Sequence, residues 1–246
     1  MTETSPPEYE VSQLQRQLDA ARAEIQEFTY AVSHDLRAPL RHINAFAQVL
    51  EEDWPDMPAD AASHLATIRQ SAQLLASQLD GLTQLSRLNL HPLNLQTVDV
   101  SALAQDVANE VAARYPQQTV QWQLATDVPP VTADSALLRQ VLLQVLDNAV
   151  KFSRGRDPAS VGLRWQWVDA QCCQITVRDH GVGFAPGQAQ ALFKAFGKLH
   201  PAREFAGLGL GLVSCRKIMQ RFGGTIDLQA VADGGCCVTL QFDLKV

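Results

Sequence analysis

Apolar residues recur at Val11, Leu14, Leu18, Ala21, Ile25, Phe28 and Val32, in alternating steps of three and four. That spacing is the a/d seam of a heptad repeat, and a strand with its period of two cannot produce it. It predicts one long helix from about Glu10 to Glu52, stopped by the two-proline turn Asp53-Trp-Pro-Asp-Met-Pro58. Pro39 lies inside this helix, deletes one backbone hydrogen bond and crowds the carbonyl of Asp35, so a kink is expected there. A second helix starts near Ala59, where Leu65, Ile68, Ala72, Leu75, Leu79, Leu82 and Ser86 repeat the spacing and Leu85 and Leu88 widen the stripe. The two form a helical hairpin. One hairpin buries only part of each stripe, whereas two hairpins packed as a four-helix bundle bury all of it, so a homodimer is expected.

The 246 residues have room for two domains, and 46% hydrophobic with 19% charged residues places both in the globular class. Residues 1–8 are Pro-rich and expected to be disordered, 9–92 form the helical domain, and 93–246 form the second. The segment His91-Pro-Leu-Asn-Leu-Gln-Thr97 reads as the linker. A net charge of −6 gives no basic footprint for nucleic acid or an anionic membrane. No apolar run of about 18 residues spans a bilayer, and the polar start is no signal peptide, so a cytoplasmic protein is expected. Five cysteines, four of them in the adjacent pairs Cys172-Cys173 and Cys236-Cys237, lack C-x-x-C spacing and read as reduced thiols rather than a zinc site or disulfide framework.

Beyond the linker the texture mixes short β-rich runs with helices. Strands are expected at Val98–Val100, Val120–Leu124, Val131–Ala133, Val161–Val168, Cys172–Asp179, Thr225–Ala230 and Cys236–Leu244. Helices are expected from a Ser101 cap to about Arg114, over Asp134–Phe152, and from about Gly209 to Phe222. This order predicts an α/β sandwich: one mixed sheet with helices on one face. Trp122, Trp165 and Trp167 read as sheet residues.

Four blocks carry chemistry. Counting the heptad on from Val32 puts His34 at a c position, facing outward, followed directly by Asp35. The helix Asp134–Phe152 buries Leu138, Val141, Leu142, Val145, Ala149 and Phe152, while Gln144, Asn148 and Lys151 share another face at i, i+4 and i+7. Amide oxygens and an ammonium on one ridge suit Mg²⁺ and phosphate oxygens. Asp179-His-Gly181-Val-Gly183 ends an apolar strand, with an acid placed to accept from an exocyclic amine and glycines that let the backbone approach a ligand. Gly207-Leu-Gly209-Leu-Gly211 enters a helix whose first N–H groups can meet phosphate. It has neither the Walker A lysine nor G-x-G-x-x-G spacing.

In this order and spacing the blocks resemble the H, N, G1, F and G2 boxes of two-component sensor histidine kinases, over roughly residues 25–246. The run Leu192-Phe-Lys-Ala-Phe-Gly-Lys-Leu-His200, followed by Glu204-Phe-Ala-Gly207, is most similar to the phytochrome-type branch. The resemblance implies a dimerisation and phosphotransfer bundle followed by a Bergerat-type ATP-binding domain. It implies His34 as phosphoacceptor with Asp35 as its base, Asn148 as Mg²⁺ ligand, and Asp179 as reader of the adenine amine beside Gly181 and Gly183. Lys151 and the glycines at 207, 209 and 211 would hold the phosphates of ATP, with Gln144 on the same helix face. Phe193–Glu204 would be a lid, Lys198 its candidate for the γ-phosphate, and His200 lid surface. The implied partners are a response regulator receiver domain and a sensor, either an upstream domain or a separate protein.

Two positions depart from the pattern. Gln144 stands where most of these kinases have asparagine and related ATPases a glutamate base; an amide takes no proton at neutral pH, which argues against simple hydrolysis. Ala38 stands where many relatives place Thr or Asn to orient water, so weak phosphatase activity toward a phosphorylated regulator is expected. The competing readings are a catalytically weak adaptor of the same fold and an ATP-driven clamp. His42, His64 and His91 read as ordinary surface histidines.

Overall fold

The apolar seam becomes a helix α1, Glu8–Asp53, in the computed structural model, which describes residues 8–88, 92–201, 204–232 and 234–243. The disorder expected of residues 1–8 and the reading of His91 fall on or run into positions outside the described residues. Helix α1 continues through Pro39 without a break. A turn over 54–58 leads to α2, Ala59–Arg87. The chain divides into two units at 90/91.

In the first unit Leu40, Ala72 and Leu79, with Ala76 against them, form the contact between the helices. Arg37 adds an ion pair, donating from Nε and Nη2 to Asp80 Oδ1 at 3.0 and 2.8 Å. Most of the seam stays uncovered within one chain. Leu14, Ile25 and Phe28 are 63%, 66% and 68% exposed, far more than an apolar stripe keeps in a finished core. No described helix is long and apolar enough to cross a membrane.

The second unit is built on a five-stranded mixed sheet in the order β2-β4-β5-β7-β6. Its strands are β2 (Val120–Leu124), β4 (Ala159–Trp167), β5 (Cys172–Asp179), β6 (Thr225–Ala230) and β7 (Cys236–Asp243). Only β2 and β4 pair in parallel. Alternation sets the two faces: Val161, Leu163, Ile175, Val177, Val238 and Leu240 are buried, while Gln123, Thr176 and Thr239 lie on the other face. Helices α3 (Val100–Arg114), α4 (Ser135–Phe152) and α6 (Gly211–Arg221) pack on the apolar face. Adjacent Cys172 and Cys173 point to opposite faces, and only the second is buried.

The structure corrects the sequence reading at four places. The expected strand at Val98–Val100 is β1, Gln96–Val98, which pairs with β3 (Val131–Ala133) as a separate two-stranded ladder, so there are two sheets and not one. The linker reading for 91–97 therefore gives way to paired strand at its end. The cap of α3 is Asp99, whose side chain accepts from Ala102 N, and Ser101 Oγ instead accepts from Val128 N at 3.1 Å. Helix α6 begins at Gly211, because Gly207 and Gly209 take φ of 140° and 74°, outside the helical region. Phe152, expected in the core stripe of α4, is only half-buried and packs on the rings of His200 and Phe205.

Candidate functional site

His34 stands on the outer surface of α1, its side chain 69% exposed, as the heptad count requires. Its Nδ1 lies 3.2 Å from Asp35 Oδ1. A carboxylate at Nδ1 favours the tautomer with its proton there, which leaves the Nε2 lone pair available. The Tyr30 ring, one turn earlier, stacks on the imidazole at 6.4 Å between centroids and 27° between planes. Arg87 of α2 lies over the Tyr30 ring, 5.8 Å from its centroid. Both were passed over in sequence, since only the folded hairpin places Arg87 beside Tyr30.

The second unit gathers the other blocks around α4. Asp134 caps this helix, accepting from Ala136 and Leu137 N, and from Asn94 N. Burial pushes its carboxyl up, but these three donors outweigh it and hold it below the usual carboxylate range. Leu138, Val141, Leu142, Val145 and Leu146 anchor one side of α4 in the core, leaving Gln144, Asn148 and Lys151 half-buried on another. Lys151 Nζ donates to Asn148 Oδ1 at 2.8 Å and lies 4.6 Å from the Phe152 ring centroid. Burial depresses the Lys151 ammonium, Asp147 pulls it back up, and the charge of Lys198 depresses it further. Asp147, which the sequence reading did not single out, is held by Tyr115 Oη at 3.3 Å and by Arg114 at 3.5 Å.

Close neighbours restrict Gly209 and Gly211, and a positive φ restricts Gly207 and Gly209. A Cβ on Gly211 would land on the Gln144 amide, which fixes that amide against the first residue of α6. A Cβ on Gly207 would reach to 3.7 Å from Lys151 Nζ. Gly209, at φ 74°, passes against Phe196 and Gly197 of the lid. Phe196 itself takes φ 62°, which is uncommon for a residue with a side chain.

Asp179 ends β5 and is 5% exposed. Its Oδ1 accepts from Gly181 N at 2.9 Å and Cys236 N at 3.1 Å, and no described donor reaches Oδ2. Burial raises its carboxyl above the usual range against these two bonds and the nearby His180. Gly181 packs its Cα on the Phe152 carbonyl, and Gly235, at φ 91°, packs on the Asp179 carbonyl. Gly235 lies between β6 and β7, and its closeness to Asp179 follows from the β5–β7 pairing, which sequence alone does not show. Ser153 Oγ, at the end of α4, is buried with no protein partner.

These groups fit a nucleotide. A buried acid with a bare oxygen can read an amine, two ammonium groups and a glycine-lined helix start suit phosphates, and an unpartnered hydroxyl lies next to the loop of Gly181. For Mg²⁺ the fit is that of an ion held mainly by phosphates: Asn148 Oδ1 is a hard donor, and the described residues contain no cluster of three His, Cys, Asp or Glu that would hold a metal by protein alone. A short helix α5, Ala189–Leu192, which the sequence reading does not predict, precedes the segment expected to be a lid, and His200, expected at the surface of that segment, is half-buried with Nε2 3.0 Å from the Gly183 carbonyl.

Comparison with known proteins matches residues 24–90 to the His Kinase A (phospho-acceptor) domain and residues 133–246 to the histidine kinase-, DNA gyrase B- and HSP90-like ATPase family. The chain is 28% identical over 240 residues to cyanobacterial phytochrome B of Nostoc sp., covering 96% of this chain and 31% of that protein. It is 28% identical over 223 residues to the methanogenesis regulatory histidine kinase FilI of Methanothrix harundinacea, covering 90% and 25%. The chain therefore spans about a third or less of the length of these relatives. Among solved structures it is similar to full-length ShkA in complex with AMPPNP, at 27% identity and a TM-score of 0.61, covering 88% of this chain and 45% of that one.

Proposed function

We propose, for a chain that belongs to the two-component histidine kinases and carries their catalytic core, that it transfers the γ-phosphoryl group of ATP to His34 and passes it on to an aspartate of a response regulator. The observation that carries this reading is the His34–Asp35 contact: an exposed imidazole with one nitrogen engaged by a carboxylate and the other free. Asp35 takes the Nδ1 proton as Nε2 attacks the γ-phosphorus; the Nε2–P bond forms, the bond to the bridging oxygen breaks, and ADP leaves. Asp179 recognises the base, and Lys151, Lys198 and the backbone of Gly207, Gly209 and Gly211 hold the phosphates. Asn148 would hold Mg²⁺, which when bound would neutralise phosphate charge. Gln144, packed on Gly211, orients groups by hydrogen bonding and cannot serve as a base toward water.

The uncovered seam of α1 supports a homodimer through a four-helix bundle. The N–P bond is labile, which suits onward transfer to a receiver domain. A sensor, in the same protein or separate, supplies the input. The test is incubation with γ-labelled ATP and Mg²⁺. Acid-labile, alkali-stable label on His34 is expected. ATP binding without label would instead leave an adaptor or an ATP-driven clamp.

A further inference from the structure

His200 joins parts of the second unit that are far apart in sequence. Its Nε2 meets the Gly183 carbonyl at 3.0 Å, so the ring presents N–H there. Its ring lies 5.7 Å from Phe152 and 5.3 Å from Phe205, and those two rings are 4.9 Å apart, all within the range of favourable aromatic pairs. Phe152 is the neighbour of Lys151 and shares a 4.6 Å contact with its ammonium. Gly183 closes the loop that begins at Asp179, and Gly181 of that loop abuts the Phe152 carbonyl. Two residues before His200 comes Lys198, on the same segment.

We propose that His200 is the positioning residue that docks the lid: its ring, against Phe152 and Phe205 with Nε2–H on the Gly183 carbonyl, holds the segment that carries Lys198 on the end of α4 that carries Lys151, for the phosphates of a nucleoside triphosphate. This rests on the nucleotide-site reading of residues 133–246. The residue acts through Lys198 and Lys151 rather than on the reacting atoms. It therefore governs how tightly nucleotide is held, and leaves the reactivity of His34 alone.

The test uses the whole chain with His200→Ala, His200→Phe, which keeps a ring without the donor, and His200→Gln, which keeps a donor without the ring. Affinity for a non-hydrolysable ATP analogue should fall about tenfold in the alanine variant, with each of the other two recovering part of the loss. KM for ATP in His34 labelling should rise while kcat at saturating ATP is kept. Without nucleotide, amide exchange over 193–201 and 204–210 should quicken in the alanine variant, with β4 and β5 unchanged. Three variants that bind within twofold of the wild type would overturn the proposal alone. Faster exchange in β4 and β5 would also overturn it, by showing that the ring holds the fold and not the lid. A wild-type chain that binds no nucleotide would remove the nucleotide reading and this proposal with it.

Discussion

Asp35 and Asp179 are both acids, yet their surroundings give them opposite work. Asp35 is exposed and touches the imidazole of His34, so Asp35→Asn should slow autophosphorylation by about 10²-fold or more while ATP binding is unchanged. An unaltered rate of label incorporation would remove its role as base. Asp179 is buried with its carboxyl raised, so its charge is a burden to the fold when no ligand is present. The folded value lies above the unfolded one, so stability from this group falls as pH rises from the ordinary carboxylate range through the folded value. Asp179→Asn should therefore match or exceed the wild type in urea midpoint at pH 7, lose that advantage in acid, and lose nucleotide binding. A clear destabilisation at pH 7 would show that the carboxylate is structural. The outward placement of His34 was legible from the heptad count. The bonds on Asp179 from Gly181 and Cys236 were not, because Cys236 reaches it only through strand pairing 57 residues away.

Element boundaries follow the groups that satisfy helix ends. Asp134 serves three backbone donors at the start of α4, and Asp134→Ala should cost about 1 kcal/mol in chemical unfolding at pH 7. Its carboxyl is depressed in the fold, so this contribution is present above the unfolded value and disappears as pH falls through the folded one. The difference from wild type should accordingly shrink in acid; a constant difference would contradict the capping role. The start of α6 is set by space. Gly211→Ala displaces the end of the Gln144 side chain, so the fold should tolerate it while nucleotide affinity drops. Equal affinity would separate Gln144 from the site. The α4 stripe and most strands were legible from periodicity. The Asp99 cap was missed because Ser101 is an equally good capping type, and which of them caps depends on where β1 ends.

For the whole molecule, the long seam of α1 reads the same way in sequence and structure: apolar, regular, and uncovered by its own hairpin. Phe28→Glu should dissociate the bundle, and light scattering should then give the mass of one chain rather than two. A variant that stays dimeric would move the interface elsewhere. The central claim is that a nucleotide site in the second unit feeds a histidine in the first, and it requires both halves at once. The most direct measurement is γ-phosphoryl label per chain, mapped to residues under alkaline conditions, for the wild type, His34→Gln and Asp179→Asn. Label is expected on His34 in the wild type and none in either variant; label that persists in His34→Gln or in Asp179→Asn would rule out transfer from this nucleotide site to His34.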